Sequence, residues 1–287
     1  MKFTTLIQAA ELAALPAGDV VIADCRHQLT DPGYGRAAWL AGHVPGAQFL
    51  HLDRDLAGTP TGRNGRHPLP GRDTLAATLA RIGLRRGQQL VAYDDAGGMF
   101  AARLWWLARW LGHDAVAVLD GGIAAWKASG GALQTGTPHP QAGDFAAAAP
   151  LEATVDINTV AASLDDPGFV LVDARGADRW RGENETLDPV GGHIPGSRNR
   201  PFALNLAADG RFKPAGQLAQ EWQALLGDAT PAQVVNQCGS GVTACHNLLA
   251  LAHAGLPGSR LYPGSWSEWC RDPARPVATG PETPVQR

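Results

Sequence analysis

The 287-residue sequence has no apolar stretch near the ~20 residues that a membrane-spanning helix needs, no CxxC pair, and no broad excess of positive charge. The first absence excludes a membrane-spanning helix, and nothing in the composition suggests a membrane protein. The second, with four cysteines scattered at 25, 238, 245 and 270, argues against a disulfide framework, a zinc site and a dithiol oxidoreductase. The third, a net charge of -3, leaves no basic face for nucleic acid. At the N-terminus, Met1-Lys2-Phe3-Thr4-Thr5-Leu6-Ile7-Gln8 reaches polar Gln8 and Glu11 too soon for the apolar core of a signal peptide. A cytoplasmic protein with reduced thiols is therefore expected, needing neither metal nor cofactor, in which a catalytic cysteine can operate. The composition, 45% hydrophobic and 18% charged, is that of a soluble globular chain, and the length suits two domains of about 150 residues.

Three features recur in the same order in both halves. Val21-Ile22-Ala23-Asp24-Cys25-Arg26 matches Val170-Leu171-Val172-Asp173-Ala174-Arg175, a buried strand ending in Asp-x-Arg. Gly42-His43-Val44-Pro45-Gly46 matches Gly192-His193-Ile194-Pro195-Gly196, and Gly121-Gly122-Ile123-Ala124-Ala125-Trp126 matches Gly264-Ser265-Trp266-Ser267-Glu268-Trp269. The offsets are 149 for Asp24/Asp173, 150 for His43/His193 and 143 for Trp126/Trp269, so the chain is a duplicated domain. The Pro- and Gly-rich stretch from Thr135 to Asp144 suits an exposed connector. We expect an N-terminal domain over 1–136, a linker over 137–153 with the boundary near 145, and a C-terminal domain over 154–287.

Short β-branched runs such as Leu90-Val91-Ala92-Tyr93 and Val234-Val235 alternate with amphipathic stretches at 101–110 and 243–252. That pattern predicts an α/β fold of two tandem domains, each a mainly parallel sheet flanked by helices, with ligands at the carboxyl ends of the strands. There lies Val234-Val235-Asn236-Gln237-Cys238-Gly239-Ser240-Gly241-Val242-Thr243, a strand, a glycine-rich turn and a helix start. Such a turn presents inward N–H groups and the positive end of a helix, which favours an anion, here a thiolate nucleophile at Cys238. Burial alone is the alternative for a cysteine at a strand end; the surrounding glycines favour chemistry. At the matching position the first half has Asp94, followed by Asp95, carboxylates in place of the thiol nucleophile, so the N-terminal domain is expected to be catalytically silent.

The Cys238-Gly239-Ser240-Gly241-Val242-Thr243 loop resembles that of 3-mercaptopyruvate sulfurtransferases. Together with the duplicated marks, it makes almost the whole chain similar to the two-domain rhodanese superfamily. The resemblance implies a sulfurtransferase in which Cys238 takes sulfur as a persulfide from 3-mercaptopyruvate, releasing pyruvate. A thiol acceptor such as thioredoxin or a small dithiol, or cyanide, then removes it. Thiosulfate-using rhodaneses are similar but carry two basic residues after the cysteine, so thiosulfate is the alternative donor. It also implies substrate binding by Arg179, Gly239, Ser240, Gly241, Val242 and Thr243, with Arg181 an alternative to Arg179, and allows His43 to face Ser240 as a relay. Mercaptopyruvate enzymes often show a second arginine before Gly-His-Ile-Pro-Gly, whereas this chain reads Glu183-Asn184-Glu185-Thr186-Leu187-Asp188-Pro189-Val190.

Other residues are read as structural. His193 belongs to a turn that also occurs in the half without a nucleophile, and the Asp-x-Arg pairs are read as ion pairs for the same reason. Cys245 falls on a helix and is read as buried rather than as a resolving thiol. Trp266 is a candidate pocket wall. The basic, turn-rich segment 62–70 is read as a solvated loop, with bordering the anion site as its functional alternative. A phosphatase would need an arginine six positions after the cysteine, and position 244 is alanine. A non-enzymatic persulfide sensor or scaffold is the remaining alternative.

Overall fold

The computed structural model describes residues 2–281, so the last six residues of the expected C-terminal domain lie outside the described residues. The chain forms two compact units. Unit 1 comprises Met1–Gly58, Leu69–Glu152 and Leu206–Lys213, and unit 2 comprises Thr59–Pro68, Ala153–Asn205 and Pro214–Arg287. Each half of the sequence thus lends one short segment to the other unit.

In unit 1, strands β1 (Leu6–Ile7), β2 (Val20–Asp24), β3 (Gln48–Phe49), β4 (Gln89–Tyr93) and β5 (Val116–Leu119) form a parallel sheet in the order β1-β5-β4-β2-β3. In unit 2, β6 (Val170–Asp173), β7 (Arg198–Asn199), β8 (Val234–Gln237) and β9 (Arg260–Leu261) take the order β7-β6-β8-β9, again parallel. A parallel bridge from Thr154 to Leu261 stands where β1 stands in unit 1. Strands β4, β5, β6 and β8 are buried at every position, as expected where helices cover both faces. Among the described residues no helix is long and apolar enough to cross a membrane.

The repeated marks are one device built twice. In each unit the Asp-x-Arg aspartate is fully buried, and the arginine two residues on returns its guanidinium to it: Arg26 Nη2 to Asp24 Oδ2 at 2.6 Å, Arg175 Nη2 to Asp173 Oδ2 at 2.7 Å. The same Nη2 donates to the carbonyl of Gly42 or Gly192, each at 2.8 Å, and so ties the strand end to the next motif. The neighbouring strand completes the carboxylate's partners, with Tyr93 Oη donating to Asp24 and Gln237 Nε2 to Asp173.

In the second motif the Nδ1 of His43 lies 2.7 Å from the Trp39 carbonyl and that of His193 lies 2.8 Å from the Trp180 carbonyl, each ring stacked on that indole. Pro45-Gly46 and Pro195-Gly196 then form tight turns, with Gly46 at φ 78 and Gly196 at φ 79 and the bonds Ala47 N to Val44 O and Ser197 N to Ile194 O closing them. Both histidines are therefore fixed within their own turns.

The expected connector is only partly exposed. Gly143, Phe145, Ala148 and Leu151 donate backbone hydrogen bonds to Ala80, Leu84, Leu111 and Arg109 of unit 1. Phe145 is buried edge-on to His113, the apolar feature that a reading by prolines and glycines overlooks.

Removing one partner of a buried ion pair leaves the other charge uncompensated, so Asp24→Asn should cost about 3–5 kcal/mol of stability. Urea unfolding monitored by tryptophan fluorescence measures this; a change below about 1 kcal/mol would remove the pair from its anchoring role.

Candidate active site

Strands β6 and β8 run side by side with Asp173 opposite Gln237, and the chain leaving β8 enters the Cys238 loop. Three bonds staple that loop to residues 265–267. Cys238 N donates to Ser265 Oγ at 3.1 Å, Trp266 N to Cys238 O at 3.0 Å, and Ser267 N to Gly239 O at 2.9 Å. Ser265 is the one non-glycine described residue with positive φ (55), and its hydroxyl donates onward to the Tyr262 carbonyl at 2.9 Å. The matching residue of unit 1 is Gly122, at φ 57. Unit 2 therefore keeps a strained backbone at this place in exchange for a side chain that holds the Cys238 amide. Gly241, at φ 77, comes so close to Pro263 that an added Cβ would lie 2.4 Å from its carbonyl oxygen. After it the helix Thr243–His253 begins, capped by Val242.

The expected loop residues Cys238, Gly239, Ser240, Gly241, Val242 and Thr243 are thus consecutive between a strand end and a helix start, and Cys238 is buried. Arg179, on the helix Ala177–Arg181, joins them: its Nη2 and Nη1 lie 3.7 and 3.8 Å from where a Cβ on Gly239 would be. Arg181 does not, because its guanidinium pairs with Glu183 at 2.7 Å. The Cys245 thiol donates to the Gly241 carbonyl at 3.3 Å, consistent with a packed helical residue. Trp266 is wholly buried, with Arg175 stacked 4.8 Å above its ring and its indole N–H on the Val190 carbonyl, so it is core beneath the loop rather than an open wall.

The histidine at Ser240 is His67, not His43. His67 Nδ1 lies 2.7 Å from Ser240 Oγ, both groups buried, whereas the His43 ring is held by Trp39 inside unit 1. His67 arrives on the segment read from sequence as a solvated loop. Gly65 packs against Gly264, and Arg66 N donates to Ser267 Oγ at 3.0 Å. Arg66 also brings its Nη2 to 2.9 Å from the would-be Cβ of Gly239, so two guanidinium groups stand over the residue next to Cys238. A second guanidinium near Gly239 thus comes from this segment, and nothing in a linear comparison points across the 173 positions that separate His67 from Ser240. The local basic and turn-forming character of 62–70 was the only signal.

The stretch that lacks an arginine supplies carboxylates instead. Glu185 grips Arg179 in bidentate fashion, at 2.8 and 2.9 Å to Nη2 and 3.1 Å to Nε, and approaches Arg175 Nη1 at 3.5 Å. Asp188, its side chain wholly buried, pairs with Arg66 through Oδ1 and lies 3.5 Å from Arg179 through Oδ2. Burial pushes the Glu185 carboxyl up, but Arg179 and the Leu187 and Asp188 amides outweigh it and hold the group below the usual glutamate range. Its pairing is therefore present above that range and is lost only as pH falls through the lowered value.

Unit 1 shows what this kind of loop binds. Asp94, at the position of Cys238, is buried and accepts four backbone N–H bonds: Ala96 and Gly98 to Oδ1 at 2.8 and 2.9 Å, Phe100 and Ala101 to Oδ2 at 2.8 and 2.9 Å. Burial pushes this carboxyl up while the four amides pull against it. The turn that precedes the helix is an anion cradle, and in unit 1 a side chain fills it.

A family model described as "Rhodanese-like domain" matches residues 8–129 and 156–272. The chain is 51% identical over 283 residues to the "Probable 3-mercaptopyruvate sulfurtransferase" of Pseudomonas aeruginosa, covering 98% of this chain and 100% of that protein. It is 43% identical over 281 residues to the "Putative thiosulfate sulfurtransferase SseB" of Mycobacterium tuberculosis, covering 96% and 97%. The crystal structure of SseA from Escherichia coli, described under the heading of 3-mercaptopyruvate sulfotransferases, superposes with a TM-score of 0.79 at 31% identity, covering 92% of this chain and 99% of that one.

Burial pushes the thiols of Cys25 and Cys270 up, the latter to about 11. Limiting iodoacetamide near neutral pH should accordingly label Cys238 before Cys25 and Cys270, as read by peptide mass spectrometry. First labelling at Cys270 would show that the loop and its two arginines do not activate the Cys238 sulfur.

Proposed function

Because the chain belongs to the rhodanese-like domain family, with a copy of that domain in each half, we propose that it is a 3-mercaptopyruvate sulfurtransferase working through a persulfide on Cys238. The observation that carries this reading is the pair of arginine forks, from Arg66 and Arg179, held over Gly239 beside a cysteine in an anion-favouring turn. A donor carboxylate meets planar N–H forks there, while its thiol reaches the nucleophile. The loop amides, the Ser240 hydroxyl and the start of the helix at Thr243 complete the contacts expected of Gly239, Ser240, Gly241, Val242 and Thr243.

The Cys238 thiolate attacks the donor sulfur, the S–S bond forms, and the C–S electron pair passes to carbon as the enolate of pyruvate. The proton on the donor thiol must end on that carbon. Ser240, backed by His67, is the group placed to move it, and the role given to His43 passes to His67. An acceptor thiolate then attacks the outer sulfur and frees the Cys238 thiolate, giving ping-pong kinetics. A thiol protein such as thioredoxin or a small dithiol suits this step, in a reducing cytoplasm. Asp94 fills the cradle of unit 1, which makes that unit silent.

Pyruvate release from 3-mercaptopyruvate with a thiol acceptor, set beside thiocyanate formation from thiosulfate and cyanide, tests the donor. We expect mercaptopyruvate to be preferred and Cys238→Ser to abolish transfer from both. Faster thiosulfate turnover would make this a thiosulfate sulfurtransferase, and transfer surviving in Cys238→Ser would end the persulfide mechanism. His67→Asn and Ser240→Ala should each lower kcat by about 10²-fold with mercaptopyruvate. Their effect on thiosulfate, which needs no carbon protonated, should be much smaller, and equal losses on both donors would assign the pair a structural role.

A further inference from the structure

The two arginines over Gly239 do not present their charge unopposed. Arg179 is held along its Nε/Nη2 edge by Glu185, and Arg66 is paired with Asp188, whose second oxygen turns toward Arg179 at 3.5 Å without a hydrogen bond. Both carboxylates are almost fully shielded from solvent, Glu185 at 4% side-chain exposure and Asp188 at 0%. Glu185 also accepts from the amides of Leu187 and Asp188 at 2.8 and 3.0 Å, which fixes the turn that delivers Asp188. The third guanidinium nearby, that of Arg175, pairs with Asp173 at 2.7 Å and lies 3.5 Å from Glu185, and with Asp173 it adds no net charge. Two positive and two negative side chains therefore surround the place where the donor's anionic end would lie. The forks keep N–H groups on the Gly239 side, but the cluster has no net charge to offset a second negative charge on a ligand.

We propose that Glu185 and Asp188 are specificity-determining positioning residues, which neutralise the arginine pair so that the site accepts monoanionic sulfur donors and disfavours dianionic ones. The inference rests on Cys238 receiving sulfur, but not on mercaptopyruvate being the donor. It assigns the choice of donor to carboxylates outside the cysteine loop as well as to the uncharged residues within it.

Thiosulfate and methanethiosulfonate separate charge from chemistry. In each, the Cys238 thiolate attacks the outer sulfur and breaks the S–S bond, and the electron pair leaves on sulfite or on methanesulfinate. One donor carries two negative charges and the other carries one. With each rate normalised to that of a free thiol, the wild-type protein should favour methanethiosulfonate in kcat/KM by about tenfold or more. Glu185→Gln and Asp188→Asn, which keep shape and remove charge, should each narrow that ratio by about fivefold or more, chiefly through a lower KM for thiosulfate. A merely structural role would weaken both donors together and leave the ratio fixed. A wild-type preference for thiosulfate overturns the proposal even if neither variant folds, as does an unchanged ratio in a folded variant. Charge discrimination without pyruvate formation from mercaptopyruvate would overturn the donor reading and leave this one standing. Failure of every donor to load Cys238 overturns both.

Discussion

The architecture depends on a carboxylate buried at the end of a central strand. Asp173 cannot lie without solvent unless its charge is met, and Arg175, two residues on, meets it and in doing so fastens the Gly192 carbonyl. That one clamp fixes where β6 stops and where the Gly-His-x-Pro-Gly turn begins. Through Gln237 on β8 it also fixes the point at which the chain departs into the Cys238 loop. Asp24, Arg26, Gly42 and Tyr93 repeat the arrangement in unit 1, so the clamp belongs to the fold and not to the chemistry. The copies differ in the residue just beyond the strand, a carboxylate in one and a thiol in the other, and the proposed mechanism places reactivity there.

A helix start poses one electrostatic problem, amides that have no acceptor inside the helix. Asp94 solves it permanently with four hydrogen bonds. In the proposed mechanism Cys238 leaves the solution to the sulfur it carries and to the molecule with which that sulfur reacts. The backbone of residues 238 and 239 is held by Ser265, Trp266 and Ser267, so the loop is organised before any donor arrives, and Ser265 accepts an unfavourable backbone angle to achieve this.

The duplicated α/β fold, the parallel sheets and the strand–turn–helix course of the Cys238 loop were legible in the sequence because each is written in a short contiguous pattern. Strand runs, Asp-x-Arg, the Pro-Gly turn and the glycine-rich turn all act over a few residues, where local chemistry decides conformation. Arg66 and His67 were not legible, since their role arises from packing against residues nearly two hundred positions away, and a basic loop with turn formers resembles any solvated loop. The stretch around Glu185 and Asp188 misled in the opposite direction. Its lack of arginine looked like a gap in anion recognition, while its acids serve to hold and neutralise arginines from elsewhere. Phe145 similarly anchors a segment whose prolines and glycines suggested open connection.

The origin of Arg66 and His67 has a consequence for how the protein can be divided. Unit 2 is completed by Thr59–Pro68, which lies on the far side of most of unit 1 in the sequence. A gene fragment encoding the second half alone would specify the nucleophile but neither the second arginine fork nor the imidazole behind Ser240. The two copies are thus bound by inheritance as well as by ancestry: the half without a nucleophile of its own carries, in its coding sequence, parts of the other half's site.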